Sequence, residues 1–239
     1  MCGTCGCADG ARVTAVDHEH SRTVLLEQKV LSRNDERADR NREWLGERGI
    51  LAVNLMSSPG SGKTTLLERT IRELGAEVAL SVVEGDQETM FDAERIQATG
   101  CRVVQVNTGA GCHLDADMLH TALHRLAPPD HSVVMIENVG NLVCPALFDL
   151  GEHSRAVVTS VTEGADKPLK YPHMFRTADL VLLNKIDLRP HVDFDEAAFT
   201  AAVHRVRGDT EIVPISATRG DGMSDWYRWL RARTTALLG

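Results

Sequence analysis

Ile50-Leu51-Ala52-Val53-Asn54-Leu55-Met56 leads without a break into Ser57-Ser58-Pro59-Gly60-Ser61-Gly62-Lys63-Thr64-Thr65, and apolar residues then recur at helical spacing through residue 74. A short apolar run, a glycine-rich turn and a helix opening on Lys-Thr make a phosphate-binding loop. In such a loop successive backbone N–H groups and the positive end of the helix surround an anion. The lysine reaches the β and γ oxygens of a nucleotide, and the threonine hydroxyl ligates Mg2+. Gly60, Ser61, Gly62, Lys63, Thr64 and Thr65 are therefore the candidate phosphate-binding residues. Ser57 stands where the usual pattern opens on glycine, which predicts a differently shaped first turn.

Downstream the texture repeats. Short apolar runs at 78–83, 102–106, 132–136, 156–161, 180–183 and 212–215 alternate with amphipathic stretches such as 93–98, 115–126 and 197–207. With 50–56 this gives about seven strands in a doubly wound α/β domain, its mostly parallel sheet covered on both faces. Upstream, residues 23–48 carry apolar side chains at roughly helical spacing and predict one or two helices, while 8–21 show no periodicity and read as a flexible tether. The expected organisation is a cysteine tail and tether over 1–21, a helical extension over 22–48 and the α/β domain over 49–239. A chain of 239 residues, 43% hydrophobic, has room for one substantial core.

The strand ends hold the remaining chemistry. Asn184-Lys185-Ile186-Asp187 follows the run 180–183 and matches the Asn-Lys-x-Asp signature of guanine-binding loops. The Asp187 carboxylate accepts from guanine N1–H and the exocyclic amine. Adenine offers an acceptor at N1 and no amine at C2, a mismatch that costs about 1–3 kcal/mol per buried unpaired group. Ser216-Ala217-Thr218 resembles the companion Ser-Ala-Lys loop, whose backbone amide addresses guanine O6, with Thr218 in place of the lysine. Four residues alone describe many polar loops; it is their order and placement behind a strand that give them weight. Glu84-Gly85-Asp86 closes the second strand and Glu137-Asn138-Val139-Gly140 the fourth. Acidic groups there are placed to hold Mg2+ and its waters near a γ-phosphate, making Lys63, Asp86 and Glu137 the catalytic candidates. No catalytic glutamine or arginine finger is assignable, so slow turnover is expected, with water positioned by a partner or by dimerisation. Lys167 and Lys170 read either as contacts to nucleotide or a second subunit, or as solvated surface groups.

A formal net charge of -8 opposes a surface for nucleic acid or anionic lipid, and no apolar run approaches the ~18 residues of a membrane span. Six cysteines, three of them among the first seven residues, suit thiolate chemistry in a reducing compartment, so a cytoplasmic location is expected. Cys2, Cys5 and Cys7 are close enough in sequence to surround one ion. Loss of Met1 would add the α-amine, giving three sulfurs and one nitrogen, a set that flattens around Ni(II) and stays tetrahedral around Zn2+. Composition does not name the ion, and a terminal redox pair or an Fe–S ligand set short of its four cysteines stay open. Cys112 and His113, after the third strand, and Cys144, after the fourth, form a second soft set, incomplete unless a dimer interface completes it. A loop histidine beside a half-buried cysteine is the plainer alternative. Cys101 reads as a small core residue, and His18 and His20 as tether residues with at most weak metal affinity.

Taken together, the terminal cysteine cluster, the loop 57–65, Gly111-Cys112-His113-Leu114-Asp115-Ala116, Glu137-Asn138-Val139-Gly140-Asn141-Leu142-Val143-Cys144-Pro145 and Asn184-Lys185-Ile186-Asp187 resemble the HypB family of SIMIBI-class P-loop GTPases. The resemblance spans most of the chain. It implies GTP and Mg2+ as ligands and a nucleotide-dependent homodimer. It implies Ni2+ at the terminal cysteines, and Ni2+ or Zn2+ at Cys112, His113 and Cys144. It further implies work in [NiFe]-hydrogenase maturation, with a HypA-like metallochaperone and the hydrogenase large-subunit precursor as partners. Some members carry long histidine-rich segments for nickel storage. Here only His18-Glu19-His20 stands in that place, which argues against storage. The rival readings are a related GTPase serving another metalloenzyme, a metal buffer that uses nucleotide structurally, and, more remotely, a small-molecule kinase.

Overall fold

The computed structural model describes the backbone of residues 18–86, 90–109 and 111–238, and the side chains of these segments from Lys29 to Leu237. Cys2, Cys5 and Cys7 lie outside the described residues. The chain divides into two units, Met1–Arg33 and Asn34–Gly239, and the second carries the α/β domain.

A single helix, α1 (His18–Glu47), occupies the region expected to hold one or two, and it begins within the stretch read as tether. From Asn34 onward it belongs to the second unit, so the compact domain starts well before the expected boundary at residue 49. Side-chain hydrogen bonds explain why. Asn34 donates to the Asp149 carbonyl (2.7 Å) and accepts from the Ala116 amide (3.0 Å). Asn41, fully buried, donates to the carbonyls of Ala116 and Leu150, each at 2.9 Å. Buried amides with every partner in place fix a helix more firmly than apolar spacing alone reveals.

The seven strands are β1 (Leu51–Ser57), β2 (Leu80–Asp86), β3 (Arg102–Asn107), β4 (Val133–Glu137), β5 (Ser154–Ser160), β6 (Leu180–Asn184) and β7 (Glu211–Pro214). They form one sheet in the order β3-β2-β4-β1-β5-β6-β7, and every neighbouring pair is parallel. The connecting helices are α2 (Lys63–Leu74), α3 (Phe91–Gln97), α4 (Ala116–Leu126), α5 (Lys167–Lys170), α6 (Pro172–Arg176), α7 (Glu196–Val206) and α8 (Met223–Leu238).

Alternate residues of β1 point to opposite faces, and both faces are covered: Leu51, Val53 and Leu55 pack with Leu66, Leu67 and Trp226 of α2 and α8, while Ala52 joins the cluster under α1 and α4. The helix α8 escaped the sequence reading because aromatic and basic residues alternate along it. Its Trp226 is fully buried and donates to Thr70 Oγ1 at 2.9 Å. Chain order reverses around β1: β2 is reached past β4 on one side, and β5 lies on the other. The loops after β1, β2, β4, β6 and β7 therefore share one edge of the sheet, where parallel α/β folds hold their ligands. Among the described residues no helix is long and apolar enough to cross a membrane.

Candidate functional site

The loop after β1 is shaped by its neighbours. Gly62 has φ 101°, and a Cβ there would stand 2.5 Å from Asn184 Nδ2, so both backbone and space require glycine. Asn184 Nδ2 donates to the Ser61 carbonyl (2.9 Å), and Lys185, itself left-handed at φ 61°, donates from Nζ to the Gly60 carbonyl (2.7 Å). Asn184 Oδ1 accepts from the amides of Lys185 (2.8 Å) and Ala217 (3.0 Å), and Ser216 Oγ donates to Asp187 Oδ1 (2.6 Å). The three segments nominated from sequence, around Gly60, Asn184 and Ser216, are thus one hydrogen-bonded assembly.

A cavity of ≈ 530 Å³ opens above this loop, lined among others by Gly60, Gly62, Lys63, Thr64, Thr65, Glu84, Asp86, Glu137 and Lys185. Lys63 is buried and donates from Nζ to Ser57 Oγ at 2.7 Å. The unexpected serine therefore parks the lysine. Burial holds the Lys63 ammonium below its usual range, opposed by the Glu137 charge. Thr64 Oγ1 donates to Glu137 Oε1 at 2.9 Å.

Glu84 and Glu137 are register partners on β2 and β4 and are buried side by side. Burial, reinforced by the Glu137 and Asp86 charges, pushes the Glu84 carboxyl up to about 8. Burial likewise raises Glu137 to about 7, moderated by Lys63 and the Thr64 hydroxyl. Among the described residues, one oxygen of each carboxyl, Oε2, has no hydrogen-bond partner. Orphaned hard oxygens beside the Thr64 hydroxyl are the donor type that Mg2+ takes. Asp92 and Arg95 of α3 also line the cavity. No motif marks them in the sequence, and only the fold brings α3 to the rim.

The second cluster assembles on the neighbouring loops. Cys112 Sγ lies 2.9 Å from Cys144 Sγ and 3.8 Å from His113 Nδ1. The three ligand atoms fall within 4.8 Å of one another. The His113 ring stacks on Phe148 at 3.9 Å, and burial holds its pKa below the usual range, favouring the neutral imidazole that ligates metals. Burial and the neighbouring Cys144 push the Cys112 thiol up to about 11.

Two asparagines tie this cluster to the strand end that carries Glu137. Asn138 Oδ1 accepts from the amides of Leu114 (3.2 Å) and Val139 (2.9 Å), and Asn141 Nδ2 donates to the Cys112 carbonyl (3.2 Å). A groove of ≈ 400 Å³ connects Ser58 and Pro59 to Cys112, with Lys167 on its wall. Lys167 pairs with Glu163 (3.3 Å) and Lys170 with Asp166 (2.6 Å). Cys101 packs against the core, as its setting beside a strand suggested.

Residues 51–214 match the nucleotide-binding domain of the CobW/HypB/UreG family. The hydrogenase maturation factor HypB of Azotobacter vinelandii is 53% identical over 228 residues, covering 95% of this chain and 75% of that one. The HypB of Escherichia coli K12 is 53% identical over 215 residues, covering 90% and 74%. Among solved structures, HypB of Archaeoglobus fulgidus superposes with a TM-score of 0.80 at 41% identity, over 85% of this chain and 100% of that one. HypB of Helicobacter pylori in complex with nickel gives 0.80 at 36% identity, over 85% and 96%. A signal recognition particle protein from Aeropyrum pernix, at 14% identity and a TM-score of 0.51, shares the fold alone. Sequence, fold and the joined nucleotide and cysteine loops lead to one assignment: the chain belongs to the HypB family of hydrogenase maturation factors.

Proposed function

We propose that this chain is a GTP-hydrolysing nickel metallochaperone that delivers nickel, or gates its insertion, during [NiFe]-hydrogenase maturation. The observation that carries this reading is the Asn138 bridge: one side chain on the wall of the phosphate cavity holds the backbone of the loop that bears Cys112 and His113. A change at the γ-phosphate therefore has a short path to the metal ligands.

In this reading Gly60, Ser61, Gly62 and Thr65 hold the phosphates, and Lys63 leaves Ser57 for the β and γ oxygens. Asn184, Lys185, Asp187, Ser216 and Ala217 address guanine. Thr64, Asp86 and Glu137 hold Mg2+, which when bound neutralises charge between the β- and γ-phosphates. Cys112, His113 and Cys144 carry nickel, with zinc as competitor, and Cys2, Cys5 and Cys7 form a separate nickel-receiving set. The nickel-bound Helicobacter pylori relative supports nickel as cargo. GTP orders the loops around Asp86, Cys112 and Glu137 and favours a homodimer. Hydrolysis returns the chain to a form that gives nickel up to a HypA-like metallochaperone or the large-subunit precursor in the cytoplasm.

The test is a nickel titration, followed by zinc competition, of full-length protein and of variants with Cys2/Cys5/Cys7→Ser or Cys112/Cys144→Ser. Thiolate-to-metal charge transfer is read in the near ultraviolet with GDP and with a non-hydrolysable GTP analogue. The expected result is two separable signals, of which the Cys112 signal changes affinity between the nucleotides. Nickel affinity indifferent to nucleotide at both sites would leave a metal buffer and end the gating proposal.

A further inference from the structure

Arg95 supplies a guanidinium to the phosphate cavity that the sequence motifs do not announce. It lies on α3 and lines the same cavity as Lys63 and Lys185. Its Nη2 stands 2.6 Å from Glu68 Oε2 and 3.2 Å from Oγ1 of Thr65, the last residue of the phosphate loop, and its Nη1 3.2 Å from Asp92 Oδ1. The guanidinium is thus one hydrogen bond from the loop that receives the phosphates. Its side chain is 44% exposed, and ion pairs in such settings hold weakly.

Among the described residues the other cations on the cavity wall are Lys63, which Ser57 holds and which in the functional reading moves to the phosphates, and Lys185, bonded to the Gly60 carbonyl. The cavity wall also carries Asp86 and Asp92 beside the Glu84 and Glu137 carboxyls, so an incoming polyphosphate meets acidic groups as well as cations. A forked, permanently charged donor on a half-exposed side chain, held by exchangeable surface ion pairs, is well matched to phosphate oxygens in that setting.

We propose that Arg95 contacts the nucleotide directly: when nucleotide binds, its guanidinium leaves Glu68 and donates to the phosphate chain from within the same subunit. This rests on the nucleotide-binding reading of the cavity and is independent of nickel. The experiment is calorimetric titration of nickel- and zinc-free protein, with magnesium present, by GMP, GDP and a non-hydrolysable GTP analogue. The proteins compared are the natural chain and its Arg95→Ala, Arg95→Lys and Glu68→Ala variants.

Loss of a charge-assisted contact is expected to weaken GDP or the GTP analogue about 10- to 100-fold in Arg95→Ala, with part of the loss restored by lysine. Glu68→Ala, which frees the guanidinium, is expected to bind as tightly as the natural chain or more so. A loss shared by GMP puts the contact on the α-phosphate, and a loss confined to the GTP analogue puts it on the γ-phosphate; either supports the proposal. Unchanged affinity in Arg95→Ala overturns it. So does an equal loss in Glu68→Ala, which would make Arg95 only a tie between α2 and α3. Absence of guanine-nucleotide binding by the natural chain would overturn the functional reading as well.

Discussion

The Ser57 hydroxyl accepts from the Lys63 ammonium and donates to the Ser58 carbonyl at 2.6 Å, so the one departure from the usual loop pattern is a hydrogen-bonded support for a buried cation. The sequence displayed the departure but not its use, because the bond closes only once the loop folds back on itself. Gly62 is different: its residue type already stated its role. With Gly62 at φ 101° and its Cβ position occupied by Asn184 Nδ2, Gly62→Ala is expected to damage the phosphate loop and the guanine loop together. Both GDP affinity and thermal stability should fall. Asp187→Asn tests the base reading alone. It replaces one of the two carboxylate acceptors that face guanine N1–H and the exocyclic amine with an NH2 donor, and is expected to weaken GDP by about 10- to 100-fold while leaving the weaker binding of ADP unchanged. Competition with a fluorescent guanine nucleotide would measure both, and an unaltered preference for GDP over ADP would remove Asp187 from the site.

The ends of β2 and β4 make an acid pair whose consequence appears in stability against pH. Both carboxyls have an ordinary value of 4.5 and stand at about 8 (Glu84) and about 7 (Glu137) in the fold. Between those values the native state keeps protons that the unfolded chain has lost. Their contribution to stability therefore falls as pH rises from about 5 to about 8, by up to about 1.4 kcal/mol per pH unit for each fully titrating group, and then levels. His113, His120 and His153, all held below their usual range by burial, act in the opposite sense, since stability rises as the unfolded chain loses its histidine protons. The difference between Glu84→Gln and the natural chain isolates the acid. In magnesium-free buffer the variant is expected to gain relative stability steadily between pH 6 and 8, as thermal melts would register. A difference that does not depend on pH would mean that Glu84 titrates normally. At this scale all seven strands were legible as apolar runs, with ends off by up to three residues. Their pairing of Glu84 beside Glu137 was not, because strand order is set by crossovers and by packing on both faces. The tract α3, short and without a motif, gave no sign that it would border the cavity.

Across the whole molecule, the legible part was whatever local chemistry demands: the phosphate loop after β1 and a doubly wound sheet implied by alternating strands and helices. Hidden were the features that need distant residues to meet, such as the Asn34 and Asn41 anchors of α1, the Trp226 bond to Thr70, and the two asparagines joining the cysteine loop to the strand end. The same joining shapes the proposed assembly. Cys112, His113 and Cys144 supply two sulfurs and one nitrogen, one donor fewer than four-coordinate Ni2+ or Zn2+ takes. Beside them Val143 and Leu147 are exposed, at 49% and 50%. A second subunit docked on this surface would cover both apolar side chains and bring the missing donor. The proposal therefore predicts that light scattering on a sizing column finds a monomer with GDP and a dimer with a GTP analogue and Mg2+, and that nickel strengthens the dimer further. In Cys112/Cys144→Ser the nucleotide-driven dimer should persist while its response to nickel disappears, because the two contributions use different atoms. A monomer in every nucleotide state would rule out completion of the metal set across subunits and would leave the fourth donor to be supplied by water or by a partner protein.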